Sequence, residues 1–210
     1  MESKTILLTA LRMTAVTLVL TGIAYPLAVT GVAQVLFPHQ ANGSLVEAQG
    51  RLVGSELLAQ AFANPGYFSP RPSAAGAGYD ATSSGGSNLG PTSAKLRDRV
   101  VADVARLRLE NPAARQEVPL ELVTTSASGL DPHISPSVAL WEAPRVAAAR
   151  HVGLPQVEAI IASHVEPRTF GVLGEPRVNV LLLNLELDRR FGTPTAAPTA
   201  SPLGSATVPE

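Results

Sequence analysis

RVNVLLLNLELD, residues 177 to 188, is the stretch whose reading decides what kind of domain this chain builds. Val178, Val180 and Leu182 alternate to one side, and Leu181, Leu183, Leu185 and Leu187 to the other. Apolar residues on both faces are the pattern of a strand covered on both sides. The expectation is a central strand over 177–188, and with it a mixed α+β domain.

Working toward the N-terminus, a helix is expected from about Pro155 to Val165, with Val157, Ile160, Ile161 and His164 on one face. Gly153 separates it from an earlier helix. Ser135-Pro136 starts that one as an N-cap followed by proline at the first helical position, and it runs toward Arg150 with a kink or break near Pro144. Val118 to Thr125 reads as a strand. From Thr92 to Glu110 the start signals Pro91, Thr92 and Ser93 and the stop Asn111-Pro112 bracket a helix, with Leu96, Val100, Val104 and Leu107 as its buried stripe. SELLAQAF, opened by Gly54-Ser55, is a short helical candidate. Between them Asn64 to Pro91 is dense in Gly, Pro, Ser and Asn. It is too long for a mere connection, and Tyr67, Phe68 and Tyr79 are placed to pin it to a core. Beyond the domain, residues 191–210 are a low-complexity Pro/Ala/Thr tail expected to be disordered.

The other decisive stretch lies near the N-terminus. Nothing from Met13 to Pro38, 26 residues, carries a charge, whereas a bilayer core needs about 20 helical residues. The hydroxyls of Thr14, Thr17 and Thr21 can bond back to helix carbonyls, and Pro26 removes one donor, which membrane helices tolerate. The resulting plan is a cytoplasmic N-terminus (1–6), one transmembrane helix (7–36), a turn-rich linker (37–50), an α+β domain (51–190) and the tail. Lys4 and Arg12 precede the apolar run and the first charge after it is Glu47, so the domain is expected to be extracytoplasmic. A cleaved signal peptide ending near Gly31-Val32-Ala33 is the rival, but the run is longer than the usual 7–15-residue signal core.

Residues 38 to 210 hold 14 basic and 16 acidic side chains, so nothing in them favours nucleic acid. Without cysteine there are no disulfides and no Cys-based metal sites. His39, His133, His151 and His164 show no metal-ligand spacing, and a metal site is not expected. Ser128, Asp131 and His133 have the residue types of a hydrolase triad. Asp131 and His133 flank Pro132, however, whose fixed φ makes their convergence difficult, and the nearest match to a nucleophile elbow, Gly85-Gly86-Ser87-Asn88-Leu89, fails at its last position. Gly76 to Ala81 fits G-x-G-x-x-A but follows no strand, and no phosphate-binding P-loop occurs. What remains is a single-pass anchor and a domain with long ordered loops, better suited to acting on a partner than on a substrate.

Four stretches in order resemble the C subunit of the bacterial potassium-importing Kdp P-type ATPase: TGIAYPLAVTGVAQVLFPHQANGSL (21–45), YFSPRPSA…YDATSSGGSNLGPTS (67–93), SASGLDPHISP (126–136) and GEPRVNVLLLNLELD (174–188). The resemblance covers about residues 10 to 190 and leaves out the tail. It implies a heteromeric pump of the bacterial plasma membrane, with a channel-like subunit holding the potassium pathway, a P-type subunit hydrolysing ATP, and commonly a small peptide subunit. It implies an accessory chain needed for assembly and activity, a catalytic chaperone that raises the ATP affinity of the hydrolysing subunit. No catalytic residues, metal or cofactor of its own are implied, and ATP enters only through the complex. The positions carried over are motif positions for partner docking: Ser84-Gly85-Gly86-Ser87-Asn88-Leu89-Gly90-Pro91-Thr92 and Ser128-Gly129-Leu130-Asp131-Pro132-His133-Ile134-Ser135-Pro136.

An extracytoplasmic domain is separated from ATP by the membrane. Its influence on ATP affinity is then indirect, through the pump's conformational preference. Alternatively it covers the ion entrance, with Asp80, Asp131 or Glu175 raising the local cation concentration. From other classes, the rivals are a membrane-anchored extracytoplasmic serine hydrolase using Ser128 or Ser87 with His133, and a free-standing solute-binding domain.

Overall fold

In the computed structural model, which describes residues 2 to 195, one long helix precedes a mixed helix–sheet domain. The helix is built from α1 (Glu2–Val19), a π turn (Leu20–Ala24) and α2 (Tyr25–Leu36). Its apolar part, Ser3–Leu36, is long enough to cross a membrane, and its most apolar window has no residue buried against the rest of the chain. The π turn answers Pro26. The Tyr25 N–H bonds the Leu20 carbonyl, a wider loop than an α-turn, just where the ring of the next residue has no N–H to offer. Thr21 Oγ1 bonds the Thr17 carbonyl at 2.8 Å, as its place in an apolar helix requires.

The segment expected as a linker is structured. A short helix, α3 (Pro38–Ala41), leads into an antiparallel hairpin of β1 (Leu45–Ala48) and β2 (Arg51–Ser55). The SELLAQAF helix does not form. Ser55 ends β2, its Oγ bonds the Gly43 carbonyl and accepts from Leu57 N, and Ala59 N–H goes to the distant Leu130 carbonyl instead of to Ser55 four residues back. A long strap follows, residues 64–91, irregular as expected and held by aromatics. Phe68 is fully buried, and Asn184 grips its backbone by accepting from its N–H (2.8 Å) and donating to its carbonyl (3.0 Å).

Helix α4 (Ala94–Glu110) starts at the Ser93 N-cap. It lies on the surface. Of the expected stripe only Leu107 is buried, while Leu96, Val100 and Val104 are half-buried. The expected strand over Val118–Thr125 is instead a 3-10 turn, Leu120–Leu122, with Thr124 Oγ1 bonding the Leu120 carbonyl, and it belongs to neither sheet of the described residues. β3 (His133–Ile134) and α5 (Pro136–Arg150) follow, with the expected Ser135 cap and Pro136 at the first turn. Pro144 does not break α5. Its missing N–H leaves free the carbonyl of Leu140, which lies on the solvent side of the helix where water can bond it.

α6 (Leu154–Ser163) packs against α5 and buries Val157, Ile160 and Ile161. β4 (Val165–Glu166) and β5 (Arg177–Asn179) complete an antiparallel sheet of order β3-β5-β4. Here the expectation for 177–188 is corrected. Strand persists only to Asn179, whose side chain caps α7 (Val180–Phe191) by accepting from Leu182 N at 3.2 Å. The buried set is Val180, Leu181, Leu183, Asn184 and Leu187, and within it Val180, Leu183, Asn184 and Leu187 follow the i, i+3, i+4, i+7 spacing of a helix. The core lies between α5, α6, α7 and the small sheet, with Phe68 as the strap's contribution. The tail expected as disordered falls outside the described residues from 196 on. Residues 192–195 lie against the domain, where Arg150 Nη1 bonds the Gly192 carbonyl (2.7 Å) and Asn64 Nδ2 the Thr195 carbonyl (3.0 Å).

Candidate docking loops

The two motif segments meet. Gly85 N–H donates to the Ser128 carbonyl at 2.8 Å, Ser84 Oγ donates to the same carbonyl at 3.0 Å, and the hydroxyls of Thr125 and Ser87 are 3.1 Å apart. The approach requires glycine. Gly129 has φ +68°, and a Cβ on it would stand 2.6 Å from the Gly85 carbonyl oxygen and 2.7 Å from Ala75 N. A Cβ on Gly86 would stand 3.0 Å from the Ala127 carbonyl.

The second segment is tied to the core at every turn. Leu130, Pro132 and Ile134 are buried, Val180 N–H bonds the Pro132 carbonyl at 3.0 Å, and Ser135 N–H bonds Glu121 Oε2 at 3.1 Å. Ser135 Oγ then accepts from Val138 N to cap α5, whose first residue is Pro136. The outer limb of the first segment, Asn88 with Gly90, Pro91 and Thr92, is exposed, while Leu89 is half-buried. The arrangement is a rigid base with an exposed rim.

Asp131 and His133 do approach each other, contrary to the expectation from Pro132. Asp131 Oδ1 accepts from His133 N at 3.1 Å and lies 3.6 Å from its Nδ1. The proline sets an Asx turn in which the carboxylate reaches forward two residues. With Arg71 Nη1 at 3.9 Å on its other oxygen, the His133 side chain foremost and Arg71 after it hold the Asp131 carboxyl below the ordinary carboxylate range, against the opposing effect of partial burial. Ser128 does not join them. Its Oγ accepts from Leu130 N at 3.1 Å, and its one other role in the site is to offer its carbonyl to the first loop. Glu175, a candidate for cation attraction, is bonded twice by Arg168 Nη2, at 2.8 and 2.6 Å. Asp80 accepts from Thr82 Oγ1 and N, which lowers its pKa. No group of three or more His, Asp or Glu suited to a metal occurs among the described residues.

Two residues that matter here lie outside the Ser84–Thr92 and Ser128–Pro136 segments. Arg71, set between Pro70 and Pro72, reaches from the strap to Thr124 Oγ1 (3.4 Å) and the Thr125 carbonyl (3.3 Å). An arginine between two prolines in a long loop was the available signal. Glu142, 1 % exposed, accepts from Ser69 N (3.2 Å) and Arg145 Nη2 (2.6 Å) and ties the strap to α5. Burial raises its pKa and outweighs the facing guanidinium. A cleft of about 680 Å³ between strap and α4 is lined by Phe62, Tyr79, Arg106, Glu142 and Arg145 among others, and by none of the motif positions. The cleft is lined instead by the earlier part of the 67–93 resemblance stretch, Ser69, Pro70, Pro72, Ser73 and Tyr79, while the two docking segments shape surface.

A family model described as K+-transporting ATPase, c chain, matches residues 7–189. A Myxococcus xanthus protein named potassium-transporting ATPase KdpC subunit is 66% identical over 193 residues, covering 91% of this chain and 92% of its own. A Rhodospirillum rubrum protein of the same name is 56% identical over 182 residues (87% and 94%), and one from Koribacter versatilis 51% over 189 (90% and 97%). The match runs through the membrane-length helix, the strap, both motif loops and α7, and so this chain belongs to the family of the K+-transporting ATPase c chain.

Proposed function

We propose that this chain, an accessory subunit of a potassium-importing ATPase, uses its two joined motif loops as a docking surface on partner subunits. Through that contact it raises the ATP affinity of the hydrolysing subunit without touching ATP. Its partners are then the potassium-pathway subunit, the ATP-hydrolysing subunit and the small peptide subunit, and the domain lies on the extracytoplasmic side. The observation that carries this reading is the bond from Gly85 N–H to the Ser128 carbonyl. It joins the two docking-motif segments, Ser84–Thr92 and Ser128–Pro136, into one body with an exposed rim.

A partner seated on such a rim favours whichever conformation of the pump presents the complementary surface. If that conformation binds ATP more tightly, the chain acts as a chaperone of nucleotide binding from across the membrane. The ion-entrance version keeps only Asp80 of its three carboxylates, because Asp131 and Glu175 already have basic partners. The hydrolase version draws none from Ser128, whose hydroxyl is engaged by its own loop.

The test is the ATP concentration for half-maximal potassium-stimulated ATPase activity in the whole complex. A bulky substitution on the exposed rim, Thr92→Trp, is expected to raise it while the isolated chain keeps its unfolding temperature. An unchanged value in complexes that also assemble normally would sink the docking role of this rim. An unchanged value on omitting the chain altogether would sink the chaperone role.

A further inference from the structure

The connection between membrane helix and domain is not a tether. Asn42 Nδ2 bonds the Pro38 carbonyl at 2.7 Å, and its side-chain amide lies 3.4 Å from that of Gln34 in the last turns of α2. Ser44, 4 % exposed, donates its N–H to the His39 carbonyl (3.0 Å), and its own carbonyl accepts from Glu56 N (3.1 Å). Ser55 Oγ bonds the Gly43 carbonyl at 2.7 Å, and His39 Nε2 is 3.4 Å from Glu56 Oε1. Residues 38–44 and Glu56 therefore form one piece with the end of the membrane helix.

One buried side chain joins that piece to the sheet. Asn179 Nδ2 donates to the Glu56 carbonyl at 2.8 Å, while Asn179 stands opposite His133 in the β3–β5 pair. Its neighbour Val180 donates its N–H to the Pro132 carbonyl, and Ala59 N–H, three residues beyond Glu56, bonds the Leu130 carbonyl. The same side chain's Oδ1 caps α7. Asparagine suits this place because its amide offers a donor and an acceptor together. Aspartate lacks the donor, and serine keeps a capping oxygen but is too short to reach Glu56.

We infer that Asn179 is a positioning residue, the strut that makes the exit of the membrane helix and the Ser128–Pro136 loop move as one body. This rests on the proposed indirect coupling, for which it supplies the mechanical link. A tilt of the helix among partner helices displaces the docking loop, and a partner on the loop biases the helix.

The absence of cysteine makes the test direct. Spin labels on the full chain at Gln40→Cys and Ala127→Cys, both exposed positions, report the distance distribution between helix exit and loop. The expected result is a single narrow distance, broadened at least about twofold by Asn179→Ser, whose retained capping oxygen keeps the start of α7 in place. Asn179→Asp, which keeps the cap and the size but removes the donor, is expected to broaden it likewise. Widths unchanged in both variants overturn the strut. In the complex, Asn179→Ser is expected to raise the ATP concentration for half-maximal activity by about fivefold, the lower end of ordinary coupling. Broadening without that change upholds the strut and overturns the coupling reading. The change without broadening overturns the strut and leaves the coupling reading standing.

Discussion

At Gly129 left-handed backbone and tight contact coincide, so its replacement has nowhere to relax. Gly129→Ala is expected to destabilise the domain by about 1–3 kcal/mol, from backbone strain alone, read as a lower denaturant midpoint. If the loops part to admit the methyl, pump activation falls as well. Asp131 gives a pH signature. Its folded carboxyl titrates below the ordinary 3.8, so between its folded value and 3.8 the unfolded chain takes up a proton that the folded chain refuses. The stability it contributes is complete above 3.8 and is lost as pH falls through the folded value. Asp131→Asn is expected to lower stability at neutral pH and to flatten the acid side of a stability-versus-pH curve. An unchanged acid slope would show that the pairing with His133 and Arg71 contributes nothing to folding. The serine-and-glycine composition of both loops was legible as turn chemistry. That Gly85 would find the Ser128 carbonyl 43 residues away was not, because sequence spacing carries no information on which loops meet.

Among the elements, α5 shows how a local rule yields to its setting. Pro144 costs the helix one bond, yet the orphaned Leu140 carbonyl is on the wet side. Pro144→Ala is expected to stabilise the domain by about 1–3 kcal/mol, measured as a raised unfolding midpoint, because alanine restores the bond without disturbing the buried face. The segment 177–188 shows the reverse lesson. With Leu or Val at most positions, two periodicities fit at once, and the two-residue alternation was as visible as the helical stripe. Asn179 and Asn184 broke the tie: one is a cap, and the other is a polar side chain on the buried face, bonded to the backbone of Phe68. Helices α4 and α5 were legible because capping serines and prolines mark their starts, whereas Ser55–Phe62 and Val118–Thr125 carry apolar spacing without a partner to complete it.

For the whole molecule the sidedness of the domain decides the mechanism. Ala127 is exposed while its neighbour Ser126 is 5 % exposed, so a cysteine at Ala127 is the accessible probe. With the complex in intact cells, a membrane-impermeant thiol reagent is expected to label Ala127→Cys. Labelling only after the membrane is opened would put the domain beside ATP and replace indirect coupling with direct contact. The sequence by itself determined the membrane-length helix, the irregular strap with its anchoring aromatics and the turn-forming character of the two motif loops. Those depend on local quantities, namely uninterrupted apolarity, proline and glycine content, and side chains that bond a few residues away. Only the tertiary structure decided that the apparent linker is bound into the domain through Glu56 and Asn179, that 180–191 is helix, and that the two motifs share one carbonyl. Each of these is a bond between distant parts of the chain, whose closure entropy is offset only when the whole core forms around it.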